Sequence, residues 1–220
     1  MIKKSDINNK YSDIFDIYRN FNKYLTYLVC LNVTVFILGM ITYGEKFLFW
    51  EYALSYIGGT KTVTGIPNTM SWLIFSCGMI LCSILCFYIS FLLRDEDEME
   101  HQRFKRYLLL ICGVGYLIIL MPYNINNSIH AIGAALIFSM LWILTVILLK
   151  ELRQSIENYK LLFYHLVLQG TVLPYAFFYF IKSPIQKQAQ KFAVIGLMLV
   201  LKLVSMQYAK VFQKRMKEYF

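Results

Sequence analysis

The sequence predicts an all-α polytopic membrane protein of six transmembrane helices, with both termini on the cytoplasmic side. Three observations predict it. First, 58% of the residues are hydrophobic and 16% are charged, where a soluble domain carries about a quarter charged residues. Second, six apolar runs approach the ~20 helical residues that cross a hydrocarbon core of ~30 Å. Third, the basic residues are distributed unevenly. Of the 22 lysines and arginines, 16 fall before the first run, between the second and third, between the fourth and fifth, or after the sixth, counting Arg106 and Lys210 at the run edges. Five (Lys46, Lys61, Lys182, Lys187 and Lys191) fall in the opposite connections or beside them, and Lys202 lies inside a run. Basic residues mark the cytoplasmic side. The runs do not alternate in polarity as barrel strands do.

The spans are expected at 24–43, 68–93, 106–123, 127–149, 161–181 and 190–211, the third being the shortest. They form one transmembrane domain over 24–212. Residues 1–23 precede it, are polar and contain acids, so a cleaved secretory signal is not expected. Ser12 could cap a short helix there, with Ile14, Phe15, Ile17, Tyr18 and Phe21 on its apolar side. A helix lying on the cytoplasmic face of the membrane and an ordinary polar tail fit this stretch equally. Residues 213–220 make a basic tail.

The longest connection, 44–67, is on the outer side and rich in aromatics (Phe47, Phe49, Trp50, Tyr52, Tyr56), which favour headgroup level. It reads as a surface-lying or partly re-entrant segment broken at Gly58-Gly59, with a turn at Gly65-Ile66-Pro67. Asn68 or Thr69 would cap the second helix. The connection "RDEDEMEHQRFKR" (94–106) is acidic and then basic; it reads as a solvated cytoplasmic turn or a partner site. The net charge of +9 is therefore topology, with some affinity for anionic lipid, and no nucleic-acid partner is expected.

Chemistry-bearing residues are few. Cys30, Cys77, Cys82, Cys86 and Cys112 all fall in spans, which argues against a disulfide framework. Cys82 and Cys86 share a helix face but read as small contact residues. His101, His130 and His165 lie at different depths, so no metal site is expected. No glycine-rich phosphate loop, CxxC, HExxH or GxSxG motif occurs, and no cofactor is expected.

His130 stands out, about one turn into the fourth helix. Asn127, Ala131, Ala135 and Ser139 recur every four residues beside it, a small-residue stripe of the kind that lets another helix approach. His130 should face the bundle and hold a polar partner, because an unpaired polar group in hydrocarbon is costly. The helix start disfavours a protonated ring, so a neutral imidazole is expected. Three helix N-termini point outward with it, a setting suited to anions. Ser55, Tyr56, Gly58, Asn124, Asn127 and His130 thus form a candidate outer polar site that could hold a lipid headgroup, or His130 could simply tie its helix to the outer loop.

A second set is intramembrane: Asn32, Gln169 and Lys202. A lysine at mid-helix costs ~3 kcal/mol on insertion scales. Lys202 either snorkels or faces the interior, where Asn32, Gln169 or a tyrosine would partner it.

"LSYIGG" (54–59), "GVGYLIILMPYNINNSIHAIGAALIF" (113–138) and "QKFAVIGLMLVLKLVSMQY" (190–208) together resemble a bacterial six-helix membrane protein family of unknown function. That family is related to the DRAM-like autophagy modulators and the Frag/Sfk-type membrane proteins. The resemblance rests on Ser55 and Gly58, on Pro122, and on His130 followed by Gly133-Ala134. Asn124 stands where the family pattern has an acid, which weakens an acid–base or cation-binding role there. The resemblance implies a six-helix fold, the bacterial cytoplasmic membrane and an association with lipid handling or trafficking. It implies no established activity.

Three functions remain open on the sequence. One is a non-catalytic membrane protein that binds a lipid headgroup or serves a protein partner or second copy of itself. Another is an intramembrane lipid-modifying enzyme using His130 as base and Ser55 as nucleophile or orienter. The third is a small transporter using Lys202.

Overall fold

The structure is a computed structural model; it describes residues 4–94 and 100–219, and side chains over 17–94 and 100–211. Six α-helices follow one another: α1 (Lys4–Ile41), α2 (Thr69–Leu92), α3 (Gln102–Ile118), α4 (Asn127–Leu152), α5 (Asn158–Phe180) and α6 (Gln186–Tyr219). No strand occurs among the described residues; the extended pairing is a single bridge, Lys61 with Pro67. Five segments are long and apolar enough to cross a membrane: Ile17–Ile41, Thr69–Leu92, Asn127–Leu152, Asn158–Phe180 and Gln186–Val211.

The remaining helix departs from the expected 106–123. It starts four residues earlier and stops at Ile118, because the chain turns before Pro122, whose ring cannot continue a helix. Its 17 residues rise about 26 Å at the usual pitch, and its first turn carries Arg103, Lys105 and Arg106. Ser12 does not start a helix either: α1 runs unbroken through it. The expected apolar side at Ile14 and Phe15, the acidic stretch 95–99 and the side chains of the 213–220 tail lie outside what is described. Phe21 is in the core, and Ile17 and Tyr18 pack against it.

Helices adjacent in sequence pack side by side, except that α5 meets the bundle chiefly through α6. Helix α6 also runs along α1 and α4, which closes the bundle. Burial follows from this: 56% of the α6 span is buried but only 17% of the α5 span. Helices α3 and α4 approach closely at Gly133, where an added Cβ would lie 2.5 Å from the Ile119 nitrogen and 2.9 Å from the Gly115 oxygen.

At one end of the bundle lie the start of α1, the end of α6 and the connections after α2 and α4. Here Lys105 is fully buried, with its Nζ 2.7 Å from Glu151 Oε2 and 3.0 Å from the Tyr208 hydroxyl. Tyr208 donates to the same carboxylate oxygen at 2.5 Å. The Tyr208 ring stacks on Tyr18 and packs edge-on against Phe21. One ion pair thus ties α3, α4 and α6, and its aromatic collar brings in α1.

At the other end the 42–68 connection folds over the bundle. A 3-10 turn at Leu54–Gly58 buries Leu54 and Ile57. Asn68, expected as a cap, makes no side-chain cap bond. Its side chain instead accepts from Gly44 N at 2.9 Å and donates to Gly59 O at 2.9 Å, pinning both limbs of the connection. The Glu45 carboxylate accepts from the Thr64 hydroxyl and from Tyr52, and the Thr64 bond above all holds it below the usual carboxylate range.

Removing one member of a buried pair leaves an uncompensated charge, at a cost of about 3–5 kcal/mol. Glu151→Ala should therefore lower the thermal midpoint in detergent sharply. Lys105→Met combined with Glu151→Leu should restore part of the loss, as read from the same melting curves.

Candidate functional site

A cleft of ≈ 430 Å³ opens between α4, α5 and α6 beneath the 3-10 turn. Its polar mouth is formed by Ser55, Asn127, His130, Gln186, Lys187 and Gln190. Its apolar wall runs along Ala131, Ala134, Ala135, Phe138 and Leu173 to Trp142. A smaller cavity of ≈ 50 Å³ lies on the bundle side, and Ser55, His130, Ala134, Phe138 and Gln190 line both.

The cleft exists because of where helix α5 goes. The small-residue stripe of α4 was expected to receive another helix at close range. Instead Asn127, Ala131, Ala135 and Ser139 line open space. The close approach occurs on the adjacent face, where Gly133 meets α3. On the stripe side, large rings hold the helices apart: Phe138 of α4 meets Tyr175 of α5 with ring centroids 5.6 Å apart. Deeper in, the Trp142 indole donates to Gln169 Oε1 at 3.1 Å, bridging α4 to α5.

The mouth is built from three directions. The Asn126 side chain caps α4, accepting from Ile129 N at 3.1 Å, which sets Asn127 and His130 on the first turns. The start of α6 is clasped by the 42–68 connection: Gln190 Oε1 accepts from Leu54 N at 3.0 Å, and Gln188 donates to Trp50 O at 2.9 Å. The Lys187 ammonium lies over the Tyr56 ring, 5.5 Å from its centroid. Lys191 is buried, donates to Lys187 O at 2.9 Å and lies over Phe49.

His130 is 2% exposed. Its Nδ1 is 2.8 Å from the Met121 carbonyl oxygen in the α3–α4 connection. Its Nε2 is buried without a hydrogen-bond partner. The ring lies near-parallel to Phe75, centroids 6.1 Å apart, and Phe75 also packs under Gly58, where an added Cβ would fall 2.7 Å from it. A glycine is needed at 58 for that contact.

Of the six residues expected at this site, the structure brings Ser55, Asn127 and His130 to one cleft. The other three surround it. Gly58 admits Phe75, Tyr56 stacks on Tyr123 at 4.7 Å, and Asn124 exchanges hydrogen bonds with Thr60 at 2.9 and 3.0 Å. Asn124 is thus a tie between two connections. The intramembrane set does not converge. Asn32 is paired with the Tyr116 hydroxyl at 2.8 Å, Gln169 with Trp142, and Lys202 is half-buried on α6. Lys187, Gln190 and Tyr175 were missed by sequence reasoning. Lys187 was read from the sequence as topology alone, and Gln186 and Gln190, beside it at the start of α6, had no reading there.

Among the described residues no group of three His, Cys, Asp or Glu side chains is placed to hold a metal ion. Compared with protein-family models, with curated proteins and with solved structures, the chain matches none.

A bulky residue should be tolerated in the cleft but not in the helix contact. Gly133→Leu should lower the thermal midpoint strongly, since overpacking against backbone costs about 1–3 kcal/mol or more. Ala135→Trp, facing open space, should leave it nearly unchanged.

Proposed function

We propose that this protein is a non-catalytic membrane protein whose cleft holds a membrane lipid, headgroup at the mouth and chain along the alanine-lined wall of α4. The observation that carries the reading is the cleft itself. Ligand sites are concave, mostly apolar volumes of about 300–1,000 Å³ with a few convergent polar groups, and the ≈ 430 Å³ space with Ser55, His130 and Lys187 at one end fits that description. Two helix N-termini, of α4 and α6, border the mouth.

Under this reading α3 is the sixth crossing, both ends of the chain are cytoplasmic, and the cleft opens in the outer leaflet of a bacterial cytoplasmic membrane. The excess of basic residues at the α1-start end supports the orientation. The resemblance to the bacterial six-helix family supports a role in lipid handling.

One observation favours a second reading, an intramembrane lipid-modifying enzyme. A histidine base needs a group that orients its ring, and the Met121 carbonyl does this for His130, with Ser55 lining the same two cavities. A transport role has no comparable support, because Asn32, Gln169 and Lys202 lie in three separate places.

Native mass spectrometry of gently solubilised protein tests the lipid site: a defined lipid adduct is expected in the wild type and should vanish in Ala135→Trp. An adduct unaffected by that variant would overturn the reading. Turnover of the bound lipid that stops in His130→Ala would favour the enzyme instead. For orientation, Val63→Cys should react with an impermeant maleimide on intact cells and Gln154→Cys only after lysis.

A further inference from the structure

Lys187 and Lys191 occupy the first turns of α6, a helix that begins at Gln186 and has no acidic residue in its first turn. That placement runs against three physical preferences. The start of a helix carries a partial positive charge and favours acids. Like charges four residues apart on a helix repel. Basic residues also avoid the outer side of a membrane, where the orientation proposed above puts this end.

No carboxylate offsets the two charges. Among the described residues, no ion pair joins either lysine to an acid. Of the two acids at this end, Glu45 is engaged by Thr64 and Tyr52, and Glu51 is exposed. Lys191 is buried, with its Nζ donating to the Lys187 carbonyl at 2.9 Å and lying over the Phe49 ring. Lys187 is exposed and lines the cleft, its ammonium over the Tyr56 ring. A local conflict of this kind, costly in the empty protein and relieved by a guest, is what a binding site leaves in a fold.

The rest of the mouth suits the same guest. No acidic residue lines the cleft. Gln190 commits its carbonyl oxygen to Leu54 N, which leaves the donor half of its amide. Ser55 and the amides of Asn127 and Gln186, on the same cleft, can each donate a hydrogen bond.

We propose that the cleft mouth binds the phosphate of an anionic phospholipid, with Lys187 as its counter-charge and Lys191 adding positive field from the turn behind. This rests on the lipid-site reading above and names the class of headgroup. Ionised phosphate oxygens only accept hydrogen bonds, which matches an ammonium and a rim of donors. A choline headgroup would bring a further cation to a mouth that already holds uncompensated positive charge. A neutral glyceride would leave both lysines without a counter-ion.

The test uses purified full-length protein in neutral detergent and native mass spectrometry. Three dioleoyl lipids are added at equal concentration: phosphatidylglycerol, phosphatidylcholine and dioleoylglycerol. A hydrogen bond to a charged group strengthens binding roughly tenfold or more, so the phosphatidylglycerol adduct should exceed each of the others about tenfold. Lys187→Ala should bring that ratio to about one, Lys187→Arg should keep it, and Ala135→Trp should abolish binding of all three. Thermal melting gives an independent readout. Phosphatidylglycerol should raise the wild-type midpoint, while lipid-free Lys187→Ala should melt no lower than lipid-free wild type, because it loses a repulsion.

Equal binding of phosphatidylglycerol and dioleoylglycerol, or a preference that survives Lys187→Ala, would overturn the proposal while leaving a lipid cleft in place. Binding that survives Ala135→Trp would overturn the cleft reading itself. If no lipid binds but inorganic phosphate raises the midpoint in wild type and not in Lys187→Ala, the anion site stands and the lipid reading falls. No response to lipid or phosphate would overturn both.

Discussion

The contact between Gly133 of α4 and the Gly115–Ile119 stretch of α3 decides most of what is distinctive about this bundle. Backbones that meet so closely bring α4 hard against α3. The short connection leaving α3 then passes directly over the first turn of α4, which puts the Met121 carbonyl within reach of His130. The same lean turns the alanine-and-serine face of α4 away from the core. Helix α5, loaded with Tyr175, Tyr179 and Phe180, cannot follow onto that face and rests on α6 instead. The cleft is what remains between them.

Polar groups in a dry bundle must find partners within the protein, and most of those in this core do. Asn32 bonds Tyr116 and the Leu28 carbonyl. Ser71 donates to the Gly39 and Ile57 carbonyls, and Ser83 to Gly113. Lys105 and Tyr208 both bond Glu151 Oε2 at the far end, while Glu151 Oε1 is buried without a partner. The buried Nε2 of His130, a residue that lines the cleft, is likewise among the few that find none.

The two ends of the molecule are built on different chemistry. The Lys105–Glu151 end is held by full charges shielded by aromatic rings. The Asn68 end is held by amide and hydroxyl bonds to backbone, by the Glu45 carboxylate with Thr64 and Tyr52, and by edge-to-face aromatics such as Tyr43–Phe47 and Phe47–Tyr52. Lys187 stands at the mouth of the cleft, over the Tyr56 ring.

The all-helical class, five of the spans and the burial of His130 were legible in the sequence, because apolar length and helix-face pattern are local properties. The grouping of Ser55 with Asn127 and His130 was legible too, since all three sit at helix or turn starts on one side of the charge pattern. Other features depended on which faces meet. The stripe Asn127–Ala131–Ala135–Ser139 has the same spacing whether a helix or empty space lies opposite it, and the rings of α5 decide which. Lys105 and Glu151 lie 46 positions apart and read as two surface charges until helix packing buries them together. Composition and periodicity specify what each segment is. Only the packing of α3, α4 and α5 decided that His130 and Ser55 would line one cleft.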